Sequence, residues 1–289
     1  MIEQLVVVGV GLIGASFALA LKEAGAVRRV IGVGRSRANL ERAAALGAID
    51  ATAPDAASAA AGADFVLVAT PVAAMAPVFA SLAPRLEPGA VVTDGGSTKR
   101  SVIEAARAGL GERVRQFVPG HPVAGSDESG AAAASVALYR DREVILTPLA
   151  ENPPAAVARV RAAWQACGAR VTEMGAADHD AILAAVSHLP HLLSYALVHD
   201  LAARADAAKL FGHAGAGFRD VSRLAASSPE MWRDICLANR DALLAELRRY
   251  QDSLAGLGAA LERADGAALE RAFDAARTAR RAWTSGGGE

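Results

Sequence analysis

The chain has 289 residues, 53% of them hydrophobic, and its 30 basic and 31 acidic residues leave a net charge of −1. This length is typical of two domains of roughly 150 residues each, and the apolar content is sufficient for a core. The balanced charge argues against nucleic acid or an anionic membrane as the partner, so we expect a small-molecule ligand.

The two cysteines, Cys167 and Cys236, are far apart in the chain and lack the spacing of a metal site. This usage predicts free thiols in a reducing compartment. The chain begins with a strand-type run instead of a signal sequence, and we expect no apolar run long enough to span a membrane. The sequence therefore predicts a cytoplasmic protein.

Strand-type apolar runs alternate with alanine-rich helical stretches over residues 1–174, which predicts a parallel sheet covered by helices on both faces. From residue 175 to residue 284 helical periodicity replaces the strand pattern, which predicts an all-helical second domain. Residues 285–289, Ser-Gly-Gly-Gly-Glu, are expected to form a flexible tail. The predicted strands are residues 5–8, 30–33, 65–69, 90–93, 116–118, 143–147 and 170–173.

A G-x-G-x-x-G motif directly follows the first predicted strand and precedes an apolar helix. Its members are Gly9, Gly11, Leu12, Ile13 and Gly14. Glycines at these positions permit a tight turn and let the backbone approach a pyrophosphate at a helix N-terminus. The motif therefore predicts dinucleotide binding in a Rossmann-type α/β domain. The alternative is a glycine-rich turn that binds nothing.

The end of the second predicted strand bears on the choice of dinucleotide. An NAD enzyme commonly has an acidic residue there for the ribose 2′-hydroxyl, but this chain has Gly34 followed by Arg35, Ser36 and Arg37. Guanidinium groups bind phosphate well, so these residues favour NADP, with dual use of NAD and NADP as the main alternative. Arginines on a solvated loop would give the same pattern without cofactor contact.

Two further loops follow predicted strands at the edge where ligands bind in open α/β sheets. Thr70 and Pro71 follow the third strand, and we expect them to contact the cofactor. Residues 94–99, Asp-Gly-Gly-Ser-Thr-Lys, follow the fourth. Within that run, Ser97 is a candidate either for capping the next helix or for contacting a ligand, and the two roles can coexist.

Three histidines stand in distinctive settings. His121 lies in residues 120–126, Gly-His-Pro-Val-Ala-Gly-Ser, where the sheet is expected to end, and it could exchange a proton with a substrate. His188 and His191 flank a proline, and they could equally be packed or capping residues at a helix start. No carboxylate or cysteine cluster accompanies the pair, so no metal site is predicted. His179, His199 and His213 occupy no distinctive setting.

A glycine-rich turn at residues 215–217 is followed by Arg219 and Arg223. An arginine at this position could bind a carboxylate group through paired hydrogen bonds.

These motifs, in this order, resemble those of the prephenate dehydrogenase family, which includes the arogenate or cyclohexadienyl dehydrogenases of tyrosine biosynthesis. The resemblance covers nearly the whole chain. It implies an NAD(P)-dependent oxidative decarboxylation in which hydride leaves C4 of the prephenate ring, the ring carboxyl departs as CO2, and 4-hydroxyphenylpyruvate forms. The matching runs are residues 9–14, 94–99, 120–126, 187–191 and 217–232.

The resemblance also implies roles for individual residues. His121 is expected to act as general base on the C4 hydroxyl, so that activity falls on the acid side, and Ser97 to contact His121, that hydroxyl and the nicotinamide region. His191 is expected to line the substrate pocket, and Arg223 to bind a substrate carboxylate. The remaining expected substrate contacts are His188 and Ser126.

Two acidic residues and the oligomeric state complete these expectations. Asp127 and Asp180 are expected to orient Arg223 or to gate the pocket, unless they form ordinary exposed salt bridges. Members of this family pair through their helical domains, so we expect a homodimer, with the apolar helices between residues 231 and 261 as its interface.

Three alternatives remain open. A reductase of the wider Rossmann group would use a lysine of the helical domain, but only Lys209 follows Lys99 in this chain, and no motif surrounds it. A non-catalytic NADP-sensing protein would share the nucleotide site. The third alternative keeps the chemistry and changes the substrate, to arogenate alone or to both compounds.

Overall fold

The computed structural model describes residues 1–125 and 128–285. The chain divides into two compact units, Met1–Arg240 and Asp241–Glu289. The strands are β1 (Ile2–Val8), β2 (Val27–Val33), β3 (Ala51–Thr52), β4 (Phe65–Val68), β5 (Val91–Asp94), β6 (Phe117–Val118), β7 (Gly120–Pro122), β8 (Glu143–Leu146) and β9 (Arg170–Glu173).

Helices follow most of these strands and predominate after β9 in the described part of the chain. In the first unit they are α1 (Leu12–Glu23), α2 (Arg37–Ala45), α3 (Ala56–Ala60), α4 (Met75–Leu82), α5 (Arg100–Leu110), α6 (Pro154–Ala166), α7 (Ala176–Leu183), α8 (Leu189–Ala202), α9 (Ala207–Gly212), α10 (Ala216–Ser222) and α11 (Pro229–Ala238). The last two helices are α12 (Arg240–Glu262) and α13 (Gly266–Ser285).

A six-stranded parallel sheet in the order β3-β2-β1-β4-β5-β6 forms the centre of the first unit. Its central strands are buried on both faces because helices cover each side, which explains why they read as continuous apolar runs instead of alternating ones. All four residues of β4 are buried, and the two faces of β1 belong to separate apolar clusters. The predicted α/β architecture, with a helical part after it, is confirmed.

The later strands depart from the prediction of one parallel sheet. β7, β8 and β9 form a separate three-stranded sheet in which β7 and β8 are antiparallel and β8 and β9 parallel. Pro119 stands between β6 and β7 and has no backbone N–H to donate to a ladder. Its carbonyl accepts a hydrogen bond from Thr147 N at 3.0 Å, so the chain leaves the first sheet there and enters the second.

A π-helical turn, Ala184–His188, joins α7 to α8 without a break. The resulting stretch Ala176–Ala202 has 27 residues and a mean hydropathy of 1.6 in its most apolar part, so it is long and apolar enough to cross a membrane. The expectation that no such run exists is therefore wrong, because histidine, serine and tyrosine interrupt it without adding formal charge. Core helices of soluble proteins also meet this criterion, so it places no segment in a membrane.

The second unit consists of the long helices α12, apart from its first residue, and α13. Both carry large apolar side chains that are exposed within the single chain, with Leu261 at 66%, Phe273 at 60% and Trp283 at 62% of their full exposure. Large apolar side chains exposed on both helices make this unit a candidate interaction surface.

Candidate active site

A cavity of about 1030 Å³ lies where the strands of the main sheet end. Gly11 after β1, Thr70 after β4 and Ser97 after β5 form one side of it. His121 on β7 and the segment from α7 to α11 form the rest. Ligands of open α/β sheets bind at the carboxyl ends of the strands, so this cavity occupies the position that the sequence motifs predicted.

The glycine-rich loop has a shape that only glycines permit. Gly9 has φ +97°, and a Cβ there would lie 2.5 Å from the carbonyl oxygen of Ala69. A Cβ on Gly14 would overlap the carbonyl oxygen of Gly9, so this glycine lets α1 pack against the loop. Gly11 faces open space and lines the cavity. The loop therefore presents the N-terminus of α1 to the cavity, as a pyrophosphate requires.

Four other residues of the predicted cofactor set also line the cavity: Leu12, Ile13, Thr70 and Pro71. The hydroxyl of Thr70 is buried and has no hydrogen-bond partner among the described residues. An unpaired buried hydroxyl is costly unless a ligand or solvent engages it. This wall thus fits a bound dinucleotide.

The residues predicted to select NADP lie outside the cavity lining. Arg35, Ser36 and Arg37 are exposed at the start of α2, beyond the end of β2. The hydroxyl of Ser36 caps α2 by accepting the backbone N–H of Asn39 at 3.2 Å, and Arg37 forms an exposed ion pair with Glu41 at 2.8 Å. Arg35 has no partner among the residues that the structure describes.

A chain of hydrogen bonds runs from His121 into the protein interior. His121 Nδ1 lies 2.8 Å from His179 Nε2, and His179 Nδ1 lies 2.8 Å from Asp180 Oδ1. The carboxylate of Asp180 also accepts the backbone N–H groups of Lys99 at 2.8 Å and Arg100 at 2.9 Å, at the start of α5. The side chains of His121, His179 and Asp180 are all buried.

The positions of the protons in this series of hydrogen bonds follow from the carboxylate of Asp180. Burial opposes ionisation of Asp180, but hydrogen bonds from His179 and from the two amides outweigh it and lower the pKa of the carboxyl. The ionised carboxylate accepts the Nδ1–H of His179, so a neutral His179 offers Nε2 as an acceptor. His121 must then donate from Nδ1, which leaves Nε2 of His121 as the lone-pair nitrogen.

Burial also keeps His121 uncharged. It lowers the pKa of His121 well below 6.5, and the nearby charges of His179, Lys99 and His188 act in the same direction. His121 lines the cavity with its Nδ1 already engaged. A neutral imidazole with a free Nε2 is the form that can accept a proton from a ligand hydroxyl.

A buried lysine holds the strand that carries His121. Lys99 Nζ lies 2.6 Å from Asp94 Oδ2 and 2.5 Å from the carbonyl oxygen of Gly120, and both charged side chains are fully buried. The other oxygen of Asp94 accepts the N–H of Gly120 at 3.0 Å. The end of β5 is thereby fixed to the residue before His121, so we regard Lys99 as a positioning residue.

Ser97 lies between β5 and α5 and lines the cavity. The residue that caps α5 is Lys99, and the carboxylate of Asp180 accepts its first N–H groups, so capping is not the role of Ser97. No hydrogen bond joins Ser97 to His121 among the described residues, although both face the same cavity.

Three of the four remaining predicted substrate contacts lie at the cavity. His188, His191 and Arg223 line the cavity, whereas Ser126, like Asp127, lies outside the described residues. The ring of His191 stacks on Trp232 with centroids 3.5 Å apart, and its Nδ1 donates to the carbonyl oxygen of Ser187 at 2.9 Å. This stacking fixes the plane of the imidazole against the cavity wall.

The sequence missed several residues that shape the site. His179 occupies no distinctive setting in the sequence, yet it contacts His121. Asp180, expected near Arg223, binds His179 and the start of α5. Trp232 and Asn239 contact the site histidines. The only signal in the sequence was the adjacent pair His179 and Asp180, which alone is too common to be informative.

Two family models match consecutive parts of the chain. Residues 17–173 match the family model of the prephenate dehydrogenase nucleotide-binding domain, and residues 175–275 match that of the prephenate dehydrogenase dimerization domain. The cyclohexadienyl dehydrogenase of Zymomonas mobilis is 36% identical over 280 residues, covering 96% of this chain and 95% of its own length. The prephenate dehydrogenase of Bacillus subtilis is 36% identical over 277 residues, covering 95% and 74%.

Solved structures agree with these matches. Prephenate dehydrogenase from Aquifex aeolicus, solved with hydroxyphenyl propionate and NAD+, has a TM-score of 0.89 at 31% identity and covers 97% of this chain and 98% of its own. Synechocystis arogenate dehydrogenase has a TM-score of 0.81 at 30% identity, covering 97% and 100%. The nucleotide-binding family model and the NAD+ in the Aquifex structure support a nicotinamide cofactor for this chain. This chain is therefore a member of the prephenate dehydrogenase family of oxidoreductases.

Proposed function

We propose that this enzyme oxidises and decarboxylates prephenate to 4-hydroxyphenylpyruvate, with arogenate as the alternative or additional substrate. The observation that carries the proposal is the pairing, in one cavity, of a dinucleotide-type loop with a buried neutral histidine. Its Nδ1 is engaged by His179, and its Nε2 has no hydrogen-bond partner among the described residues, so Nε2 can accept a proton. The alternative substrate is kept because both prephenate and arogenate dehydrogenases are among the similar structures.

His121 acts on the C4 hydroxyl in this proposal. Its Nε2 accepts the hydroxyl proton while hydride leaves C4 and the ring carboxyl departs as CO2. The product is a phenol, so the proton can return from His121 to the new phenol oxygen, and the reaction releases no net proton. The bound nicotinamide supplies the hydride acceptor. General-base assistance of this kind is worth roughly 10²–10⁴ in rate.

The other cavity residues bind and orient the substrate. Arg223 pairs with a substrate carboxylate, which its planar guanidinium suits. His191, held against Trp232, contributes a fixed polar wall, and Ser97 stands on the cofactor side of the same cavity. Ser126 remains a proposed contact on the strength of the family resemblance alone.

We call the hydrogen-bonded series His121–His179–Asp180 the His121 relay. Two replacements of His179 are expected to impair it to different degrees. His179→Phe removes the acceptor for His121 Nδ1, so the imidazole loses its fixed tautomer and orientation, and we expect kcat to fall about ten- to hundredfold with little change in KM. His179→Gln keeps an acceptor near the position of Nε2 and should recover part of that loss. Steady-state kinetics of both variants measures this, and equal rates for His179→Phe and wild type would remove His179 from the account.

We also propose that the enzyme prefers NADP, with dual use of NAD as the alternative. The support is that no carboxylate follows β2, where Gly34 precedes Arg35 and Arg37 on an exposed turn. Arg35→Ala is expected to raise the KM for NADP about tenfold and to leave the KM for NAD unchanged, because only NADP carries the 2′-phosphate. Arg29→Ala, on the same strand, is the matched control. A parallel rise for both cofactors would contradict the proposal.

The domain division and assembly belong to the same proposal. We assign residues 1–174 to the cofactor and residues 175–284 to substrate binding and dimerisation, and the two family models, which meet between residues 173 and 175, support this division. The exposed apolar side chains of α12 and α13 support a homodimer. A cytoplasmic location is proposed because the apolar helical stretch Ala176–Ala202 carries histidines that line the cavity.

The experiment that tests the proposed reaction combines each substrate with each cofactor. Initial rates of nicotinamide reduction with prephenate and with arogenate, each with NAD+ and with NADP+, rank all four pairings. Turnover in at least one pairing, with the aromatic product identified by mass spectrometry, is the expected result. No turnover in any pairing would favour the non-catalytic, cofactor-sensing alternative.

A further inference from the structure

Asn239 lies directly after α11 and links two parts of the site. It is 6% exposed, and its side-chain Nδ2 lies 2.7 Å from the carbonyl oxygen of Asp180 and 3.1 Å from Nδ1 of His188. One amide group therefore contacts both the backbone of the His121 relay and a second cavity histidine.

The contact with Asp180 distinguishes the nitrogen of the Asn239 amide from its oxygen. A backbone carbonyl oxygen only accepts hydrogen bonds, so the amide atom facing it must be the NH2 group of Asn239. That NH2 group also faces His188, and a donor there requires Nδ1 of His188 to be the acceptor. A neutral His188 consequently carries its proton on Nε2.

The Nε2–H of His188 is a donor that meets no acceptor in the part of the chain that the structure describes. His188 is 1% exposed and lines the cavity, and its Nε2 has no hydrogen-bond partner among the described residues. Burial lowers the pKa of His188 to about 4, against an opposing effect of the Asp180 charge, so the ring is neutral at neutral pH. A buried donor is costly unless it meets an acceptor, and the cavity that His188 lines is where a ligand could supply one.

We propose that Asn239 is a positioning residue that fixes His188 as the Nε2–H tautomer, so that His188 donates a hydrogen bond to an oxygen of the bound substrate. The inference rests on the proposed function and deepens it. The donor selects a carboxylate or carbonyl oxygen and disfavours an ammonium group, which offers no acceptor.

The first test compares two replacements of His188 that differ in where they place a donor. The side-chain amide of Gln reaches about as far as Nε2, whereas that of Asn reaches only as far as Nδ1. His188→Gln is therefore expected to keep most of the affinity for 4-hydroxyphenylpyruvate measured by calorimetry. His188→Asn should weaken it about tenfold or more. Equal affinities of the two variants would overturn the proposal.

The second test reads the tautomer without any substrate. In protein labelled with ¹⁵N-histidine, NMR of the wild type should show Nδ1 of His188 unprotonated and Nε2 protonated, with the signals assigned by their loss in His188→Gln. Asn239→Asp replaces the donor by an acceptor and should move the proton to Nδ1. A wild-type ring protonated on Nδ1 would overturn the proposal even if the variants fold poorly.

The two tests separate failure of this inference from failure of the proposed function. The expected tautomer in an enzyme that oxidises neither prephenate nor arogenate would leave the Asn239 assignment intact and remove the proposed reaction. A turnover-competent enzyme with the opposite tautomer would do the reverse.

Discussion

Replacing His121 with Asn is expected to lower kcat by about 10²–10⁴ while the KM for substrate changes little. The amide of Asn reaches about as far as Nδ1 of His121, so it can still face His179, but it places no proton acceptor at the position of Nε2. The loss should therefore fall on the chemical step, and binding of the cofactor alone should be unaffected. Steady-state kinetics and a separate fluorescence titration with the reduced cofactor measure the two effects.

The pH profile of the wild type provides a second reading of the same residue. Because burial lowers the pKa of His121, its neutral form persists below pH 6.5, and kcat/KM should begin to fall only as the pH drops through that lowered value. An acid limb at or above pH 6.5 would contradict the environment described for His121. A His121→Asn enzyme with more than a tenth of the wild-type kcat would exclude it as the base.

Replacing Lys99 with Met should reduce the free energy of unfolding by about 3–5 kcal/mol. The substitution leaves the fully buried Asp94 carboxylate without its cation and frees the carbonyl of Gly120. Stranding one member of a buried ion pair is far more costly than removing both. Chemical denaturation, monitored by circular dichroism, gives the difference in free energy.

The chain contains a matched control for Lys99. Lys22 also donates to one carboxylate and one backbone carbonyl, those of Asp50 and Gly47, but its side chain and that of Asp50 keep 24% and 40% of their exposure. Lys22→Met should therefore cost no more than about 1 kcal/mol. Similar losses for the two variants would show that burial of the Lys99 pair has no special weight.

The glycine-rich loop illustrates what the sequence could predict. Spacing alone located Gly9, Gly11 and Gly14 after a strand, and the structure shows that a side chain at Gly9 or Gly14 would collide with backbone. Such local constraints involve residues close together in the sequence, so a motif can reveal them. The alternation of apolar strands and helices likewise predicted the main sheet, because a strand covered on both faces must be apolar throughout.

Long-range contacts were not predictable in this way. His179 lies 58 residues from His121, on helix α7, whereas His121 lies on strand β7. No sequence periodicity predicts a contact between two such distant histidine rings. The same holds for Asn239, which is 51 residues from His188. β7 was missed for a local reason, because it has three residues and ends in proline, which weakens any strand pattern.

The measurement that tests the central claim most directly is the stoichiometry of the wild-type reaction with prephenate. If the cavity performs the proposed oxidative decarboxylation, each prephenate consumed yields one CO2, one reduced nicotinamide and one 4-hydroxyphenylpyruvate, and His121→Asn slows all three together. Nicotinamide reduction without CO2 release, or consumption of prephenate without nicotinamide reduction, would contradict the account.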